Sequence, residues 1–284
     1  MTTRHLTEGR HGHHPERSVR LSQTDAHAYR DWLRTGDATV LLPAGAFEQH
    51  GPHLPLGTDA ILSSTIAEAV ARRIGALVAE PLSYGYKSQQ KSGGGNHLPG
   101  TVSLDAATVI GTTRCLVSSL LSQGVRNVVI VNGHYENYQF LYEGIDLALG
   151  DLGLGPDGDQ SVLLLSYWDY VSEQTLEAVY PDGFPGWDIE HGGVLETSLM
   201  MHLHPHLVDP ERFVDHPPAS LPRFDRLPVV PERTPASGCL SAPRGSDAAK
   251  GRLMFEQVVT DLSAEIATET GLLSSVPEAV LRVS

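Results

Sequence analysis

Cysteine is nearly absent: two residues in 284, with no CxxC pair, leave neither a disulfide framework nor a thiolate cage. Cys115 falls within an amphipathic helical pattern and is expected to be a buried small hydrophobe, and Cys239 falls in a Ser/Pro/Gly-rich loop. Long apolar runs are missing too. None approaches the ~18 residues that span a bilayer, and the polar first 20 residues hold no signal-peptide core. A reducing cytoplasm and no membrane partner are therefore expected. Basic residues are scarce, 20 against 34 acidic ones for a net charge of −14, and they form no cationic cluster. That balance argues against a nucleic-acid partner and suits a site that collects cations. No G-x-S-x-G elbow is present, so no serine nucleophile stands out. Gly93-Gly94-Gly95 lacks the strand-to-helix setting of a phosphate loop and reads as a place of close backbone approach to a small ligand.

What is present is an ordinary globular composition, 40% hydrophobic and 19% charged, in a chain long enough for a substantial core. Residues 1–20 form a His-rich arm with His5, His11, His13 and His14, and residues 21–284 read as one catalytic domain. From there strand and helix patterns alternate. Strands are expected at 39–43, 76–80, 127–131 and 161–167, and helices at 25–33, 60–74, 106–122, 138–149, 194–202 and 250–270. The proline-rich stretch 207–248 is expected to be an extended segment packed on the surface or on a neighbouring subunit. Alternation of this kind implies βαβ units and a parallel sheet, with ligands beyond the carboxyl ends of the strands.

Two strand ends carry the chemistry. After 39–43 come Glu48, His50 and Asp59, and after 127–131 come His134 and Glu136. Residues two apart on an extended strand end point to the same side, and a carboxylate such as Asp59 can bridge two ions. Five imidazole and carboxylate ligands exceed what one open cation site takes, so two divalent metal ions, Zn²⁺ or Mn²⁺, are the natural reading. The nucleophile is then expected to be a metal-bound hydroxide. His53 is a candidate neighbour of the ligands, His97 a solvated loop residue, and His202, His204 and His206 partners of a helix C-terminus. Trp168 and Trp187 flank polar segments and suit a flat, partly cationic substrate. His191, before two glycines and among acids, is a candidate proton carrier.

Glu48-Gln49-His50-Gly51-Pro52-His53-Leu54-Pro55 with Thr58-Asp59, then Asn132-Gly133-His134-Tyr135-Glu136-Asn137, resembles the creatininase (creatinine amidohydrolase) family. Segments 84–97, Ser166-Tyr167-Trp168-Asp169 and Gly186-Trp187-Asp188-Ile189-Glu190-His191-Gly192-Gly193 resemble its creatinine-opening branch, and the likeness spans roughly residues 25–270. The resemblance implies a three-layer α/β fold, a parallel sheet with helices on both faces, and a homohexamer. It implies one ion on Glu48, Asp59 and His134, a second on His50, Asp59 and Glu136, and catalytic roles for His191 and Glu136. Ser92, Tyr135, Trp187, Asp188 and His191 fall on substrate or proton-transfer positions, and Trp168 on an aromatic gate. The implied reaction is the reversible opening of creatinine to creatine by attack of the hydroxide on the ring carbonyl. A peptide or heterocyclic formamide as substrate, or a metal-binding protein without turnover, are the alternatives.

Overall fold

The structure is a computed structural model and describes residues 18–272. The His-rich stretch 1–17 lies outside those residues. Val19 and Arg20 join the fold: the Val19 carbonyl accepts from Val78 N at 2.8 Å, and Arg20 pairs with Glu68 at 2.6 Å.

The expected βαβ units are present. Strands β1 (Thr39–Ala44), β2 (Leu77–Val78), β3 (Asn127–Asn132) and β4 (Ser161–Ser166) form an all-parallel sheet in the order β2-β1-β3-β4. Every residue of β1 and β3 is buried, as expected of strands covered on both faces. The pleat divides their side chains. Leu41, Val129 and Val131 face one layer with Leu62, Ile66, Leu199, Met254 and Leu262, and Val40, Leu42, Val128 and Ile130 face the other with Val117, Leu121, Leu141 and Ile145. Helices α2 (Thr58–Ile74), α6 (Val194–Leu203) and α7 (Ala248–Glu269) thus cover one face, and α3 (Ala106–Ser122) and α4 (Tyr138–Leu152) the other. Each such aliphatic side chain, fully buried, contributes about 1.5–3 kcal/mol. Helix α1 (Ala26–Leu33) starts where expected because Asp25 accepts from His27 N and Ala28 N, and Asp105 caps α3 in the same way.

Three expectations are corrected. Strand β2 spans two residues rather than five. It is an edge strand, and Pro81 removes a donor just beyond it. Cys115 is exposed. Helix α3 buries Val109, Thr113, Val117 and Leu121, a four-residue stripe, and Cys115 lies about 200° around the helix from Thr113. A further helix, α5 (Glu173–Val179), is capped by Ser172, whose hydroxyl accepts from Thr175 N. The sheet order reverses between β1 and β3, and the crevice at their carboxyl ends is the switch point where α/β folds hold ligands.

Candidate metal centre

Two glycines make the crevice. A Cβ on Gly45, just past β1, would stand 2.3 Å from Ala60 N, and one on Gly133, just past β3, 2.7 Å from the Asp59 carbonyl oxygen. Only with both positions bare does the first turn of α2 drop between the strand ends and carry Asp59 there. The neighbouring loops are tied by amides. Asn132 Nδ2 donates to the His134 carbonyl at 2.9 Å, and Asn137 Nδ2 to the Gly45 carbonyl at 2.9 Å.

Glu48, His50, Asp59 and His134 meet in this crevice, all at most 3% exposed. The backbone fixes the imidazole tautomers. His50 Nδ1 donates to the Glu48 carbonyl at 3.1 Å, and His134 Nε2 to the Tyr86 carbonyl at 3.0 Å. The opposite nitrogens face carboxylates. His50 Nε2 lies 2.9 Å from Asp59 Oδ1, and His134 Nδ1 lies 3.1 Å from Asp59 Oδ2 and 3.2 Å from Glu48 Oε1. Asp59 thus turns one oxygen to each imidazole. Despite these distances, His50 Nε2, Asp59 Oδ2 and Glu48 Oε2 are buried without a hydrogen-bond partner. Lone pairs converging in a dry site demand positive charge between them. The electrostatics agree. Burial pushes Asp59 and Glu48 up, yet His50 and His134 hold Asp59, and His134 and His191 hold Glu48, below the ordinary carboxylate range. Burial would likewise lower the imidazoles, but their carboxylate neighbours hold both well above the usual value. The cluster therefore fits divalent cations.

Grouped by mutual distance, the ligand atoms form two trios that share Asp59: Glu48, Asp59 and His134, and His50, Asp59 and Glu196. A third grouping, Glu48, His50 and His191, overlaps both. Glu196, in the first turn of α6, was not singled out from sequence. Its Oε1 lies 3.5 Å from His50 Nε2, and its Oε2 accepts from Gly192 N at 2.7 Å. A lone acid in a helix otherwise buried from Val194 to Met200 is the signal that marks it. Glu136 stands apart from the second trio. Its Oε1 accepts from Gln89 N at 2.7 Å and Ser92 Oγ at 2.6 Å, its Oε2 lies 3.4 Å from His134 Nε2, and burial raises its pKa. A Cβ on Gly93 would press on Ser88 Oγ and lie 3.0 Å from Glu48 Oε2, so this glycine admits the carboxylates themselves.

Ser92, Tyr135, Trp168, Trp187 and His191 line one cavity with these acids, together with Tyr167, Glu190 and Leu195, which sequence reasoning also missed. Asp188 is exposed and is not among the lining residues. Trp168 packs edge-on to Tyr167 at 5.3 Å, and Trp187 edge-on to Phe184 at 4.8 Å. His191 Nε2 donates to the Gln49 carbonyl at 2.8 Å, which leaves Nδ1 facing inward, 3.7 Å from Glu48 Oε1. Glu190 carries a pKa of about 7, raised by burial and then by Glu196. His53 sits behind the ligands, bonded through Nε2 to Thr197 Oγ1 at 2.8 Å, and His204 bonds Thr65 Oγ1.

Known proteins share the sequence and the fold. Creatinine amidohydrolase of Pseudomonas putida is 49% identical over 254 residues, 89% of this chain and 98% of its own. A mycofactocin precursor peptide peptidase of Mycobacterium tuberculosis is 30% identical over 257 residues, 83% of this chain and 87% of its own. Solved creatininase structures, a Mn form and a mutant complexed with creatine, align at TM-scores of 0.87 and 0.86 with 49% and 48% identity, each over 89% of this chain and 99% of theirs. The family model described as creatinine amidohydrolase matches residues 21–266, and the chain belongs to the creatininase family.

Proposed function

We propose that this protein opens the ring of creatinine to creatine, reversibly, with two divalent cations, Zn²⁺ or Mn²⁺, in the paired pockets that share Asp59. The observation that carries this reading is Asp59 itself, presenting Oδ1 to His50 and Oδ2 to His134 at 2.9 and 3.1 Å beneath a tryptophan-lined cavity. Glu48, Asp59 and His134 would hold one ion, and His50, Asp59 and Glu196 the other. Bound there, such ions supply Lewis acidity toward the ring carbonyl and lower the pKa of water toward 7.

The remaining steps belong to the chain. Water adds to the ring carbonyl carbon and the carbon–nitrogen bond breaks. Glu136, fixed by Ser92 and Gln89 and raised by burial, takes a proton from the attacking water. His191, oriented by the Gln49 carbonyl, gives one to the departing ring nitrogen. Trp168 and Trp187 cover the flat ring and exclude bulk water, and Ser92 and Tyr135 border it. Asp188, exposed in this state, would meet substrate only on movement of the 186–190 turn. The peptide reading fits less well, because an extended chain needs an open groove rather than a cavity walled by two indoles.

The assembly we propose is a homohexamer in the cytoplasm. Large exposed apolar side chains outside the cavity, Tyr142 at 61%, Phe224 at 60% and Leu227 at 85%, support further burial between subunits, and no described helix is long and apolar enough to cross a membrane. Light scattering should give six times the 30.6 kDa chain, and a monomer would refute the assembly. Substrate class is tested by supplying the metal-replete protein with creatinine and with linear peptides. Ring opening faster than peptide cleavage is expected. The reverse order would move the activity to a peptidase.

A further inference from the structure

The proline-rich stretch before α7 does more than cover the surface. Its Ser237-Gly238-Cys239-Leu240-Ser241 portion reaches the turns that carry both His50 and His191. On the first turn, Gln49 Nε2 donates to the Ser237 carbonyl at 2.8 Å, and Gln49 Oε1 accepts from Gly51 N at 3.2 Å. Gly238, at φ +83°, lies so close that a Cβ would fall 1.8 Å from Gln49 Oε1. On the second turn, Leu240 N donates to the His191 carbonyl at 3.0 Å, and Ser241 Oγ to Glu190 Oε2 at 3.0 Å. Buried Cys239 fills the space between the turns, its Sγ 2.2 Å from where a Cβ on Gly51 would stand and 3.1 Å from one on Gly192. Gln49 also joins the turns directly, since its carbonyl receives His191 Nε2. The two rings lie 4.2 Å apart between centroids.

We infer that Gln49, gripped by residues 237–241, is a positioning residue that sets the spacing of His191 from the cation ligand His50. The inference rests on His191 being the proton carrier. A group placed about 1 Å wrong can cost 10²-fold in rate without weakening substrate binding. Gln49 thus touches the 237–241 clasp through its side-chain amide and the His191 ring through its backbone carbonyl.

The test is a double-mutant cycle on Gln49→Ala and Gly238→Ala, with Gln49→Met as a volume-keeping partner. In the metal-replete enzyme, Gln49→Ala and Gln49→Met should each lose about 10- to 100-fold in kcat on creatinine, with KM within about twofold and two ions per chain retained. Gly238→Ala should be impaired alone and add less to Gln49→Ala than to wild type, because the atom its methyl strikes is gone and only the strain of a methyl at φ +83° remains. In the chelated protein, Gly238→Ala should lower the unfolding temperature in both backgrounds, since a methyl at φ +83° is strained in each, and by more in wild type, where it also strikes Gln49 Oε1. A kcat within twofold of wild type for Gln49→Met, multiplicative effects in the cycle, or loss of ions in step with activity would each overturn the inference. His191→Ala separates the two layers. If it turns over creatinine like wild type, the proton-carrier reading fails. If it is inactive while Gln49→Met is not, the inference about Gln49 alone fails.

Discussion

Two carboxylates, Glu136 and Glu196, stand close to the imidazoles but in different surroundings, and substitution should separate them. Glu196 offers a ligand oxygen within 4.8 Å of those of His50 and Asp59, whereas Glu136 joins no such trio among the described residues and is held by Gln89 and Ser92. Glu196→Ala should therefore lose one of two ions and keep the Glu48–Asp59–His134 pocket. Glu136→Gln should keep both ions and lose about 10²-fold or more in turnover, the usual scale for a proton-transfer group. Elemental analysis beside a creatinine assay checks this, and the opposite pattern of ion loss would exchange their roles. Asp59→Ala should lose both ions. At the cavity wall, Trp187→Ala should raise KM by the loss of an aromatic face, about 0.5–2 kcal/mol. An unchanged KM would remove Trp187 from the substrate's surroundings. Glu48 and His50 were legible in the sequence because their two-residue spacing fixes a common side, whereas Asp59 is carried in by the first turn of α2 and His134 joins the trios without Glu136, its two-apart neighbour. Glu196 was not legible, because it enters from a helix nearly 150 residues downstream whose approach only the tertiary fold decides.

At the scale of elements, the centre depends on how deeply α2 drops between β1 and β3. Gly133→Ala would put a methyl 2.7 Å from the Asp59 carbonyl. Backbone cannot yield cheaply, so this change should cost about 1–3 kcal/mol and weaken ion retention as Asp59 is displaced. Gly111→Ala is the contrast. It sits within α3 with nothing inside 4 Å of the new methyl, and should gain about 0.5–1 kcal/mol from helix propensity. Denaturant midpoints distinguish the two, and equal effects would show that α2 has room to shift. Helices α3 and α4 and strands β1 and β3 were legible because long periodic runs and capping residues agree, as at Asp105. Strand β2 and helix α5 were not. The first is held by two β1 pairs at an edge, and the second has seven residues, too few for a periodic pattern. The clasp at 237–241 has no periodicity at all, so its contacts with Gln49 and His191 leave no mark in the sequence.

For the whole molecule, buried charge makes stability depend on pH and on cations. Glu190 holds its proton to about pH 7 in the folded protein, raised by burial and by Glu196, against an ordinary carboxylate value near 4.5 when unfolded. The folded state therefore binds more protons than the unfolded state between these values. Its contribution is fully present below about pH 4.5 and is lost as pH rises through about 7. In the chelated protein, Glu190→Gln should gain unfolding temperature relative to wild type as pH rises from 5 to 8. A constant difference would mean that Glu190 does not titrate in this window. Divalent cations held in the paired pockets favour the folded chain and should raise the unfolding temperature of both. Paired pockets that share Asp59 and serve one reaction are tested most directly by a metal add-back titration. Chelated protein, inactive on creatinine, should recover ring-opening activity as Mn²⁺ is added, with activity levelling at two equivalents per chain. Full activity without added metal, a plateau at one equivalent, or no creatine formed at any loading would contradict it.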